Sequence, residues 1–270
     1  MNTKSKPISE LPECVYGTKF ADRGNLVLKT KEEKAEAEKD SIAAKYIRPY
    51  LGAEELVHNK DRWCLWLTNS TPEERKKSPV LRKALEGVKE ARKNGEWKEK
   101  PIWLPVGEHQ PDCDYLAIPR HFSENRAYFT AGYELKDVIA SDALFTVEDP
   151  DCFAFSVIES SMFMAWQDLV GGRLEMRKRC SNTLVWNTFP LPALTKGQKD
   201  RTIEGGAKVL EAKANYPMPP WLTFITRAIC LPTSKRPMKP WTKRWTPYFQ
   251  TSPLIARKRG RRCCLKPMKK

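Results

Sequence analysis

The stretch "GRLEMRKRCSN" (residues 172–182) gathers Arg173, Arg177, Lys178 and Arg179 around Glu175. Its alternation reads as a half-exposed strand or loop, and in an alternating segment residues two apart point the same way. Glu175 and Arg177 then share a face. A carboxylate accepts from the cytosine amino group, and a guanidinium donates to guanine in the major groove. Side by side, the two groups have the chemistry to read both halves of one C·G pair. The same two groups also suit an ordinary surface ion pair, which contributes little. The residue types leave both readings open.

Other constellations carry less. "EWK" (Glu96–Lys98) with Asp112 or Asp114 has the parts of a metal-dependent nuclease site, but in reversed order and around a common triplet. His58, His109 and His121 are the only histidines, and none has a ligand-like neighbour at helical spacing. The eight cysteines form no CxxC pair that would hold zinc. Cys64 and Cys152 sit in apolar runs and read as small buried residues. No Gly-rich phosphate loop follows a strand.

These residues need a scaffold, and the chain predicts a mixed α+β one. "TKEEKAEAEKDSIAAKYI" reads as a helix started by the capping-box spacing of Thr30 and Glu33, with Pro49 ending it. "RWCLWL" has the apolar density of a buried strand. Thr71 with Pro72 starts a second helix, Pro79 interrupts it, and a longer helix follows from Val80 to Lys93. "DYLAIP", "AYFTAGY", "ALFTVE" and "CFAFSVI" read as short strands. "SSMFMAWQDLV" is a helix capped by Ser160 or Ser161. Thr195 starts a last helix through Asn215, weakened by Gly205 and Gly206.

The charge is confined to one end. The chain holds 48 Lys+Arg and 33 Asp+Glu. Residues 218–270 hold 14 of the basic residues and none of the acidic, so residues 1–217 carry 34 against 33. A phosphate-seeking argument from net charge therefore concerns the tail alone. No apolar run reaches the ~20 residues of a membrane helix, and the N-terminus lacks a signal-peptide core. The cytoplasm is the expected compartment, with no membrane partner.

Eight blocks follow one another in order: "KYIRPYLGAEEL", "DRWCLWL", "QPDCDYLAIPR", "SENRAYF", "DVIASDALF", "SSMFMAW", "GRLEMRKRCS" and "VWNTFPLP". Together they closely resemble the target-recognition region of the Mme-like restriction–modification enzymes, over about residues 5–217. That family fuses nuclease, adenine-N6 methyltransferase and DNA-reading domains. The resemblance implies a DNA sequence-recognition module that binds double-stranded DNA. It also implies that two residues spaced like Glu175 and Arg177 read a base pair. The candidate DNA-contacting set is Glu175, Arg177, Arg173, Lys178, Arg179, Asn182, Ser160, Ser161 and Arg120. The family's AdoMet-binding Gly-rich loop and Asn-Pro-Pro-aromatic motif are missing from this sequence. The resemblance therefore implies a chain inactive alone, with AdoMet on a separate methyltransferase domain, which a separately encoded fragment could supply. The sequence departs from the family pattern at Phe163, where His is common, and at Trp186, Thr188 and Leu191.

At Met218 the text switches to a string rich in Pro, Trp and Arg. Permitted codons for this tail, read one base earlier, give acid-rich helical text such as "DASLADLYH". The expectation is that residues 218–270 are a disordered, frame-shifted tail of a truncated protein. Ahead of it come an irregular lead-in over 1–30, a target-recognition domain over 31–192 and the start of a helical region over 193–217. The competing reading is a freestanding basic nucleic-acid-binding protein whose tail supplies affinity.

Overall fold

The computed structural model describes residues 6–58, 60–93 and 110–215. The elements begin with β1 (Cys14–Tyr16), β2 (Val27–Leu28), α1 (Lys31–Glu38), β3 (Ile47–Leu51), α2 (Ala53–His58) and β4 (Trp63–Leu65). Then come α3 (Pro72–Lys77), α4 (Pro79–Arg92), β5 (Tyr115–Pro119), β6 (His121–Phe122), β7 (Gly132–Glu134), β8 (Ile139–Ala140) and β9 (Leu144–Val147). The last are α5 (Phe153–Ile158), α6 (Ser161–Val170), β10 (Gly172–Leu174), β11 (Arg177–Arg179) and α7 (Lys196–Asn215). The content is α+β, as the sequence predicts. The chain divides into two compact units built from interleaved segments.

One unit comprises residues 14–120 and 133–146. Among the described residues it holds two sheets, ordered β1-β9-β5-β7 and β2-β4-β3-β8. The second sheet packs on α4 through Leu65, Leu81, Leu85 and Val88, all buried. Two strands, β1 and β2, lie in the stretch expected to be irregular. The helix after Thr30 is shorter than predicted. Thr30 does cap it, accepting from the Glu33 amide at 3.1 Å. Asp40 then ends it, because its carboxylate accepts from the Ile42 and Ala43 amides at 2.9 and 3.2 Å. A side chain that bonds the local backbone competes with helix continuation. Pro49 thus lies inside β3, opposite Trp63 and ahead of the Tyr50–Leu51 pairing with β8. The capping box at Thr71 and Glu74 forms as expected.

The other unit comprises residues 1–13, 121–132 and 147–270, described from residue 6 to residue 215. Its core is aromatic. Phe163 on α6 is fully buried and meets Phe129, Trp186 and Phe189, with ring centroids 5.3, 5.7 and 4.9 Å away. Each such ring contributes roughly 1.5–3 kcal/mol by leaving water. "CFAFSVI" is helix α5, not the strand predicted. The Asp149 carboxylate accepts from the Ala154 and Phe155 amides, and Asp151 from Phe153, which fixes a helix start. A run buried on every side has no periodicity to separate helix from strand. α7 packs on α5, with Gly206 against Ser156. Gly206 is therefore a contact position rather than a weak point.

Candidate nucleic-acid interface

"GRLEMRKR" folds as a hairpin. Strands β10 and β11 pair antiparallel as Gly172↔Arg179, Arg173↔Lys178 and Leu174↔Arg177. That register leaves Glu175 and Met176 as a two-residue turn. Glu175 takes φ +56°, in the left-handed region. The expected adjacency of Glu175 and Arg177 holds, but through this turn and not through strand alternation. Arg177 Nη2 lies 3.3 Å from Glu175 Oε2, with both side chains more than half exposed. β11 also pairs with β6, through Lys178↔Phe122 and Arg179↔His121. β10 is the outer strand and is exposed throughout.

Directly paired residues of an antiparallel ladder lie on one face. Leu174, Arg177 and Arg179 therefore share the outer face with the turn. Arg173 and Lys178 share the other face, and the structure turns both toward Asp168 of α6. Lys178 Nζ reaches the two Asp168 carboxylate oxygens at 2.7 and 2.8 Å and lies 3.4 Å from Met164 Sδ. The Lys178 side chain is only 9% exposed. Its charge is thus matched by Asp168 and largely covered. Arg173 Nη2 stands 4.0 Å from Asp168, more than half exposed. Gln167, next to Asp168, donates from Nε2 to the Arg179 carbonyl at 3.0 Å.

The remaining candidates are each held by other local structure. Ser160 caps α6 by accepting from the Phe163 amide at 3.1 Å, and Ser161 is exposed in the first turn. Eight residues separate Ser160 from Asp168 and seven separate Ser161, so at ~1.5 Å each the serines sit ~10–12 Å along the helix from Asp168. Asn182 opens a π-helical turn, Asn182–Trp186, its carbonyl accepting from the Asn187 amide. Arg120 belongs to the other unit. There its guanidinium donates to the Asp142 carbonyl at 2.7 Å and stacks on Tyr16 at 4.7 Å. Gln167 and Asp168, which contact the hairpin, were not singled out from the sequence. The only available signal was a polar "QD" near the end of an otherwise apolar helix.

No group of three or more His, Cys, Asp or Glu among the described residues could hold a metal ion. Burial pushes the Cys180 thiol up to about 12 and raises that of Cys64, which keeps both neutral. Asp114 accepts from the Lys136 amide at 3.0 Å. Glu96–Lys98, His109, Cys230, Cys263, Cys264 and the whole 218–270 tail lie outside the described residues. No described helix is long and apolar enough to cross a membrane.

The model of the MmeI target recognition domain matches residues 1–193, well over half the chain. The chain belongs to the MmeI target recognition domain family. It is similar to DNA methyltransferase A of Bacillus subtilis (strain 168), 27% identical over 218 residues. That match covers 79% of this chain and 25% of the relative. It is also similar to the solved structure of the Type IIL restriction–modification enzyme MmeI in complex with DNA. There the identity is 33% and the TM-score 0.73, over 80% of this chain and 29% of that one. The chain thus spans about a quarter of the length of these relatives.

Every candidate residue of this MmeI-family chain, from Arg120 to Asn182, falls inside the matched stretch. Two of its departures from the family pattern, Phe163 and Trp186, meet in the aromatic core rather than at the hairpin. Trp186 Nε1 donates to the Pro12 carbonyl at 2.9 Å, so the indole is both packed and satisfied.

Proposed function

We propose that this chain is the DNA-reading part of a site-specific adenine-N6 methyltransferase of a restriction–modification system. Glu175 and Arg177 read one C·G pair of its site. The observation that carries this reading is an exposed carboxylate acceptor and guanidinium donor 3.3 Å apart at the tip of a hairpin, with Arg179 on the same face. An acceptor for cytosine N4 and a donor for guanine O6 and N7 are the two groups that major-groove readout of C·G requires. The relatives' names, a DNA methyltransferase and an MmeI enzyme solved with DNA, support the partner class.

Methyl transfer is assigned to another polypeptide region. A Gly-rich AdoMet loop and an Asn-Pro-Pro-aromatic motif are required for it, and this sequence has neither. A methyltransferase domain, or a separately encoded methyltransferase fragment, supplies AdoMet chemistry, and the chain works in the cytoplasm where it meets duplex DNA. The test is a selection of duplexes from a randomised pool by the full chain. The expected result is an enriched site containing a C·G pair whose enrichment disappears for Arg177→Ala, at about 1–3 kcal/mol of lost discrimination. Uniform recovery of all sequences by the wild-type chain would contradict the reading.

A further inference from the structure

We propose that Asp168 and Gln167, adjacent near the end of α6, are positioning residues that set the orientation of the Glu175–Arg177 tip. The inference rests on the base-reading role proposed above. Neither residue touches the tip itself. Each holds β11 on a different atom, one through a side chain and one through the backbone. Asp168 grips Lys178, the residue directly after Arg177, and Arg173 approaches the same carboxylate from β10. Gln167 holds the carbonyl of Arg179, two residues after Arg177. Reading residues are thus interleaved with anchored ones along β11.

The anchoring matters because little else restrains this ribbon. β10 pairs only with β11, and β11 meets β6 at only two positions. An isolated two-stranded ribbon is marginally stable in water. Bidentate base contacts demand placement within about 0.5 Å and 10–20°. Gly171 shows how closely the anchor is fitted. A Cβ there would lie 1.8 Å from Gln167 Nε2, and the Gln167 side chain is almost wholly buried. The absence of a side chain at Gly171 lets Gln167 fold back over the helix end and reach Arg179.

The test uses the full chain. The double change Asp168→Leu with Lys178→Met removes both charges, so none is left buried and unpaired. Amide hydrogen exchange over residues 173–178 is followed without DNA, and binding is measured on duplexes matched or altered at the one C·G pair. The expected result is exchange faster by about ten-fold with a retained far-UV spectrum. Discrimination at that pair falls by about ten-fold, while affinity for non-specific duplex changes by less than about two-fold. Asp168→Asn, which keeps an acceptor oxygen, recovers part of both, and it decides the matter should the double variant fail to fold. Unchanged hairpin exchange, or retained discrimination, overturns the inference. A wild-type chain that does not discriminate refutes the base-reading role, and this inference with it, while leaving the exchange result as a separate fact.

Discussion

Arg177 Nη2 stands 3.3 Å from Glu175 Oε2, although Glu175 belongs to the turn and Arg177 to the returning strand. The turn brings the pair together, and it does so at a cost. Glu175 carries φ +56°, a conformation that penalises a side chain by roughly 1–2 kcal/mol. Strain of this kind persists where surrounding structure or function requires it.

Glu175→Gly should therefore stabilise the chain by about 0.5–1 kcal/mol, since glycine tolerates positive φ and its backbone entropy offsets only part of the gain. It should also abolish discrimination at the C·G pair. Glu175→Ala should lose the same discrimination without the stability gain. Thermal unfolding and duplex competition on the two variants check this. A destabilised glycine variant would show that the Glu175–Arg177 contact outweighs the strain.

The two glycines of α7 should respond oppositely to alanine. A Cβ on Gly206 would fall 2.0 Å from Ser156 Oγ and 3.1 Å from the Ser156 Cα, whereas one on Gly205 meets nothing within 4 Å. Gly205→Ala should gain up to about 1 kcal/mol of helix propensity. Gly206→Ala should lose about 1–3 kcal/mol through overpacking that exceeds the same propensity gain. Denaturant unfolding of both variants distinguishes them.

The Tyr46 hydroxyl donates to Glu74 at 2.6 Å, and with the Thr71 amide and hydroxyl it holds the Glu74 carboxyl down at about 2, against an ordinary 4.5. The unfolded chain takes up this proton first as acid is added, so acid favours unfolding. The contribution of Glu74 is complete above about pH 4.5 and is lost as pH falls toward 2. Glu74→Gln should flatten that part of the stability–pH curve, measured by urea unfolding between those limits. An unchanged slope would remove Glu74 from the acid response.

Local chemistry was legible in the sequence wherever it is written in adjacent residues. The caps at Thr30, Thr71, Ser160 and Thr195 each sit beside the amides they serve, and the structure uses all four. What escaped depended on distant or enclosing partners. Nothing in "CFAFSVI" reveals that Asp149 fixes a helix start, because a fully buried run looks alike as helix or strand. The partner of Lys178, Asp168, lies ten residues earlier on another element. A basic residue in a basic run therefore read as a DNA contact, and its ion pair with Asp168 could not be foreseen. The surroundings of Arg120 were equally illegible, since Tyr16 and Asp142 are brought to it only by the fold.

The most direct measurement is a specificity swap at the hairpin tip. The target-recognition region of an intact MmeI-family methyltransferase is replaced by this one, and its methylated sites are mapped. Glu175→Lys with Arg177→Asp exchanges donor and acceptor, which in the major groove is the difference between C·G and G·C. The account predicts methylation at sites carrying the inverted G·C pair at that one position, with every other position of the site unchanged. Methylation of the original C·G sites by the swapped protein would contradict it and return Glu175 and Arg177 to a surface ion pair.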